Sequence, residues 1–284
     1  MSTLRSIKRK IGSIQSTQTI TRTMQMVAAA RLKKAQTDLL NNRPYSETMR
    51  NVMGHVVLKT DPQSHPFIAQ RDVSNILLIV FTADRGLCGA FNLNVITKVE
   101  ELTKEMHGVY DTISFYTIGK KGRDSLKKSG KEIVNEIVDT RSIEFELAKN
   151  IGREVLTYYQ EMRFDKIALV YNRFLSVMRQ EVMCEELVPI QPPETTEPPV
   201  EFLFEPSQDE MLDSLISAYV EVQVYKALLE SQASEHSARM NAMDSATSNC
   251  DELIRDLTLL YNKTRQAGIT KEMMDIVGGA EALM

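Results

Sequence analysis

Two long stretches of the 284-residue sequence contain neither glycine nor proline, one from Ser13 to Arg43 and one from Ser207 to Ala267. These residues are the strongest local interruptions of regular structure, so 61 consecutive positions without them permit one unbroken helix. At 1.5 Å per residue such a helix is roughly 90 Å long, about three times the width of a small domain. It cannot fold back inside a globule and must find a partner along its length.

The apolar spacing supplies that partner. Alternating steps of three and four through the second stretch visit Leu212, Leu215, Tyr219, Val222, Lys226, Leu229, Ala233, His236, Met240, Met243, Thr247, Cys250, Ile254, Leu257, Tyr261 and Thr264. Twelve of these sixteen positions are apolar, against 43% of the whole chain. A sustained seven-residue repeat holds one seam against a neighbouring helix when the two wind around each other left-handedly. In the N-terminal segment the same spacing selects Leu4, Ile7, Ile11, Ile14, Gln18, Thr21, Gln25, Ala28, Leu32, Ala35 and Leu39, while Ile20, Met24 and Val27 open a second apolar face. That widened stripe predicts contacts on two sides.

Start signals agree with both helices. Ser2 or Thr3 can cap the first, and Ser207 followed by Asp209 and Glu210 sets acid at the positive end of the last. Pro44 is expected to kink the first helix rather than end it, because Tyr45 to Leu58 is again helix-compatible.

The middle of the chain has a different texture. Ile76 to Phe81, Thr112 to Ile118 and Lys166 to Tyr171 are apolar runs of buried-strand length. Helix-compatible stretches follow at Asn92 to Met106, Lys120 to Ser129 and Ile143 to Met162. Strands alternating with helices predict a mainly parallel sheet in a Rossmann-like α/β domain. Six of the nine prolines fall between Pro189 and Pro206, which reads as an exposed connector back to the last helix. The expected fold class is therefore α/β. Residues 1–58 form an N-terminal coiled-coil helix, 59–206 an inserted α/β domain with its proline-rich connector, and 207–284 a C-terminal coiled-coil helix.

Charge and composition exclude several functions. A net charge of -4 provides no global field for nucleic acid or an anionic membrane surface. No apolar run is long enough to cross a bilayer as a helix, and the N-terminus lacks the apolar core of a signal peptide, so no direct membrane insertion is expected. Cys88, Cys184 and Cys250 are odd in number and far apart, which fits neither a disulfide framework nor paired zinc ligands.

Candidate chemistry is sparse. The turn from Thr82 to Asn92 joins a strand to a helix, a place where phosphates often bind, yet it is neither a GxGxxG fingerprint nor a P-loop. Its glycines serve a tight turn equally well, and Cys88 reads as a small buried residue rather than a nucleophile. The basic cluster Lys120, Lys121, Arg123, Lys127, Lys128 and Lys131 is interrupted by Asp124 and Glu132 and reads as a solvated helix face. His55, His65, His107 and His236 show no ligand spacing. No catalytic residue, metal or cofactor is expected. A nucleotide-binding enzyme with helical arms and a structural coiled-coil adaptor are the competing readings.

Three ordered segments carry a specific resemblance. Ile20-Thr21-Arg22-Thr23-Met24-Gln25-Met26-Val27-Ala28-Ala29-Ala30-Arg31-Leu32 closely resembles the N-terminal helix of ATP synthase gamma subunits. Glu235 to Thr247, continued by Leu257 to Thr270, resembles the C-terminal helix of the same family. The turn Asp84-Arg85-Gly86-Leu87-Cys88-Gly89-Ala90-Phe91-Asn92 is the third landmark.

The resemblance implies an antiparallel coiled coil of the terminal helices and a non-catalytic central rotor shaft in an F-type, proton-transporting rotary ATP synthase. Implied partners are the alpha and beta subunits of the catalytic head, the epsilon subunit and the membrane c-ring, with one copy of the chain per complex. Contacts with the catalytic subunits map by resemblance onto Met24, Arg265, Gln266 and Thr270, and contacts at the foot onto Phe202, Phe204 and Glu205. The implied location is a peripheral membrane complex on the cytoplasmic face of a bacterial plasma membrane. A bacterial source is expected because Met1 runs straight into the first helix and no closely spaced cysteine pair of the chloroplast branch is present. Gly268 departs from ideal helix chemistry by about 1 kcal/mol relative to alanine, which leaves helix continuity beyond it open.

Overall fold

The structure is a computed structural model that describes residues 4–61, 65–69, 71, 73–140, 143–191 and 208–281. Ten elements follow in order. They are α1 (Leu4–Lys59), β1 (Asn75–Phe81), α2 (Phe91–Met106), β2 (Thr112–Ile118), α3 (Lys120–Lys128), β3 (Ile133–Ile137), α4 (Phe145–Gln160), β4 (Lys166–Phe174), β5 (Gln180–Val188) and α5 (Gln208–Glu281). The predicted caps Ser2, Thr3 and Ser207 lie outside the described residues, as do residues 192–206 of the proline-rich connector.

The chain divides into two compact units, residues 1–28 with 240–284, and residues 29–239. In the first, the helices pair antiparallel. Gln18 Nε2 donates to Asp251 Oδ1, the Thr21 and Thr247 hydroxyls lie 2.8 Å apart, and Gln25 Nε2 donates to Asp244 Oδ1 at 2.7 Å. Every seam position in this unit is buried or half-buried, among them Ile7, Ala28, Met243 and Cys250, while Ile20 and Val27 on the second face are 60% and 47% exposed. α5 passes straight through Gly268, where no neighbour crowds the backbone.

In the second unit a five-stranded sheet has the order β3-β2-β1-β4-β5. Its first four strands are parallel, and β5 returns antiparallel to β4. Alternation along β1 explains the layering. Leu77, Ile79 and Phe81 face a core shared with α4 and with Met53, Val56, Leu212, Ile216, Val220 and Val224 of the long helices. Ile76, Leu78 and Val80 face the other way, onto Val95, Val99 and Leu102 of α2 and Leu126 of α3. Each such fully buried aliphatic side chain contributes about 1.5 to 3 kcal/mol.

α1 continues through Pro44 to Lys59. Proline removes the intrahelical donor to the carbonyl of Leu40, a residue whose side chain is 60% exposed, so water can serve that carbonyl. β3 and β5 escaped the sequence reading. β5 carries Glu181, Glu185 and Glu186 as a charged sheet edge, which hides its apolar positions.

Candidate functional site

The turn after β1 is built from its own backbone needs. The Thr82 N–H donates to Ile118 O at 2.8 Å, and its hydroxyl accepts the Gly122 N–H at 2.8 Å. Asp84 then occupies the start of α3, with Oδ1 accepting the Lys120 N–H at 2.9 Å and Oδ2 accepting the Thr140 N–H at 3.1 Å. The Lys121 N–H donates to Ala83 O at 3.1 Å. A helix N-terminus binds phosphate through free N–H groups, and here those of Lys120, Lys121 and Gly122 are already bonded within the protein. That is the start of α3; the helix that the turn itself opens is α2, where the Phe91 N–H donates to Cys88 O at 3.2 Å and Asn92 Oδ1 accepts the Ala83 N–H at 2.8 Å.

Two of the three sequence landmarks meet at this turn. Arg239 of α5 pairs with Glu235 one helical turn away at 2.6 Å, and its other guanidinium nitrogen donates to Gly86 O at 3.3 Å. Ala83, Cys88 and Phe91 form a small buried cluster against Ala238. Burial pushes the Cys88 thiol up, which makes it a poor nucleophile and agrees with its reading as a packing residue.

Just before and among these residues on α5, three polar side chains spaced four and three residues apart bond to the end of β4 and the hairpin after it. Glu230 is 1% exposed, and its Oε2 accepts the Phe174 N–H at 2.7 Å while Oε1 accepts from Arg43 of α1 at 3.1 Å. Arg43 also donates to Phe174 O at 2.9 Å. Ser234 donates to Asn172 O at 3.1 Å, and Ser237 donates to Val177 O at 2.6 Å. Sequence reasoning missed this ladder. Its signal was two serines at helical spacing after a glutamate, just off the apolar seam.

A second charged group lies one turn earlier on α5. Glu185 accepts from Arg50 at 3.0 Å and from Lys226 at 3.4 Å. Burial alone would raise the Glu185 carboxyl, but Lys226 and Arg50 hold it below the usual carboxylate range. Lys226, a polar interruption of the seam, is thereby given a partner.

A cavity of about 780 Å³ opens beside the turn, with Arg31, Lys34, Asp84, Arg85, Glu235 and His236 among its lining residues. Burial, with Arg239 and Arg31 nearby, pushes the His236 imidazole down to about 4, so it is neutral at physiological pH. Among the described residues no cluster of His, Cys, Asp or Glu has the geometry to hold a metal ion. In the basic cluster, Arg123 pairs with Asp124 and Glu136, and Lys127 pairs with Glu136.

The family-mapped contact residues fall apart in space. Met24 lies half-buried in the helical pair beside the Asp244 to Thr247 stretch. Arg265, Gln266 and Thr270 are exposed about 20 residues further along α5, roughly 30 Å away. The pairing of 18 with 251 and 25 with 244 exhausts the described part of α1 near residue 265 of α5. Residues 269–279 are accordingly exposed on every side, including Ile269, Met273, Met274, Ile276 and Val277. Phe202, Phe204 and Glu205 lie outside the described residues.

A family profile described as ATP synthase matches residues 3–283. The chain is 42% identical over 289 residues to the ATP synthase gamma chain of Nitratidesulfovibrio vulgaris, covering all of this chain and 99% of the relative. It is 43% identical over 290 residues to that of Halothermothrix orenii, covering both completely. Among solved structures, it resembles a chain of the Tetrahymena thermophila mitochondrial ATP synthase central stalk and c-ring, with TM-score 0.63 and 27% identity over 80% of this chain and 99% of that one. A chain of the Euglena gracilis mitochondrial ATP synthase rotor shares the fold, with TM-score 0.69 and 20% identity over 94% and 98% of the two chains. With matches that run from end to end in profile and in sequence, the chain belongs to the family of ATP synthase gamma chains.

Proposed function

We propose that the chain is the central rotor shaft of an F-type ATP synthase, a non-catalytic subunit that carries torque between an ion-driven membrane ring and the catalytic heads. Full-length membership of the gamma chain family carries this reading. The extended end of α5 supports it physically, because a helix that exposes Ile269, Met273, Met274, Ile276 and Val277 with no helix paired to it is a surface for a partner.

The shaft works through asymmetry. One rod among three equivalent catalytic subunits contacts each of them differently, so each is biased toward a different conformation and rotation exchanges those biases. Its partners in this reading are the alpha and beta subunits around the helical ends, the epsilon subunit, and the c-ring at the foot. Met24, Arg265, Gln266 and Thr270 serve the head, and Phe202, Phe204 and Glu205 serve the foot. Functionally the chain divides into residues 1–58 and 207–284 as shaft and 59–206 as body. The complex sits at the cytoplasmic face of a bacterial plasma membrane and couples ion transport to ATP synthesis.

Purification of the complex through a tag on this chain tests the reading. One copy per three catalytic subunits is expected, and three copies per complex overturn it.

A further inference from the structure

Force passing between the α/β body and the long helices must cross the surface where they meet, and a large apolar cluster lies on it. Ile216, Val220, Val224 and Ala227 of α5 and Met53 and Val56 of α1 are buried in one cluster with Leu77, Ile79 and Leu169 of the sheet. Hydrophobic attraction is non-directional, so it holds the surfaces together but opposes sliding only through side-chain interlocking. Directional resistance comes from hydrogen bonds whose donors and acceptors are fixed in space.

Glu230 provides such resistance across three elements at once. Its carboxylate accepts the Phe174 N–H of β4 at 2.7 Å and the Arg43 guanidinium of α1 at 3.1 Å, and Arg43 closes the ring by donating to Phe174 O at 2.9 Å. All three bonds involve an ionised group, and such bonds are about twice as strong as neutral ones. The Glu230 side chain is only 2% exposed, so little solvent screens it. Ser234 and Ser237 repeat the attachment on the next turns of α5, with neutral bonds to Asn172 O and Val177 O. Ala227, Ala233 and Ser234 on the same stretch of α5 are fully buried.

We infer that Glu230 is a positioning residue for torque transfer, the most deeply buried of the charged ties, with Glu185 the other, that keep the α/β body from slipping along the two helices under load. The inference rests on the rotor reading and adds to it the place where load passes from body to shaft. Glu230 touches no nucleotide and no ion in this role.

The test uses the whole synthase in vesicles, with Glu230→Ala, Glu230→Gln or Arg43→Ala in this chain. Measured are assembly yield, ATP hydrolysis, ATP-driven ion uptake per ATP hydrolysed, and hydrogen exchange at the Phe174 amide. For Glu230→Ala, exchange at Phe174 is expected to rise by about 30-fold, because its amide loses a charged acceptor. Hydrolysis stays within about twofold while uptake per ATP falls by about fivefold, because binding of the catalytic subunits is untouched and only the load path is broken. Glu230→Gln still accepts the Phe174 N–H and restores at least about half of the lost uptake. If Glu230→Ala does not assemble, Arg43→Ala decides, with a reduced uptake ratio supporting the inference. Accelerated exchange at Phe174 with a wild-type uptake ratio overturns it, whichever variant shows it. Undiminished coupled uptake by complexes depleted of this chain would instead overturn the rotor reading itself.

Discussion

Gly119 closes β2 against the end of β1 with a backbone that only glycine adopts without strain. Its φ is +99° and its ψ 141°, and a Cβ there would lie within 2.6 Å of the Thr82 carbonyl carbon and closer still to its oxygen. Replacement by alanine incurs about 1 to 3 kcal/mol of backbone strain. It also forces Thr82 away, which stretches the Lys121 bond to Ala83 and the Gly122 bond to Thr82, at about 1 kcal/mol each. The total loss is about 3 to 5 kcal/mol, a large share of a typical domain's stability. Gly130→Ala is the control. Gly130 also has positive φ, at +67°, but an added Cβ meets nothing within 4 Å, so its loss is about 1 kcal/mol. Urea unfolding followed by tyrosine emission reads both variants, since the chain has no tryptophan and Tyr116, Tyr159 and Tyr171 are fully buried in the body. With a slope of about 2 kcal/mol per molar urea, the midpoint drops by about 2 M for Gly119→Ala and about 0.5 M for Gly130→Ala. Equal shifts for the two variants would refute the steric argument.

Three further outcomes are expected. His236, whose folded-state pKa is down near 4, refuses a proton that the unfolded chain accepts below about pH 6.5. Stability is therefore full above that pH and declines by about 2 to 3 kcal/mol as pH falls toward 4, a slope that His236→Gln should flatten in pH-dependent denaturation. The Thr21 and Thr247 hydroxyls pair in the helical seam, so each single change to valine costs about 1 kcal/mol while the double change costs less than their sum; strict additivity in thermal melts would argue against a coupled pair. Replacing Arg265 and Gln266 by alanine should reduce ion-driven ATP synthesis while the assembled heads keep hydrolysing ATP. Unchanged synthesis would remove those residues from the head contact.

Local chemistry makes the long helices legible in the sequence. Absence of glycine and proline over long intervals and a seven-residue apolar repeat are properties of neighbours three and four positions apart. Every position of the predicted seam, from Leu4 to Leu39 and from Leu212 to Thr264, is buried or half-buried. β1, β2 and β4 were legible for a related reason, since strands covered on both faces become continuous apolar runs. β3 and β5 lie at the two edges of the sheet, where charged residues are tolerated and the pattern is diluted.

Tertiary structure decided the rest. A heptad reading puts Leu229 and Ala233 in the seam and leaves Glu230 off it. Glu230 is instead buried, because α5 packs on the end of β4 as well as on α1. Its partners Arg43 and Phe174 lie 187 and 56 residues away, beyond the reach of any periodicity. The sequence by itself determined which segments are helices and which side of each meets its partner. Only the fold determined which charges are locked between them, since pairing depends on elements brought together from distant parts of the chain.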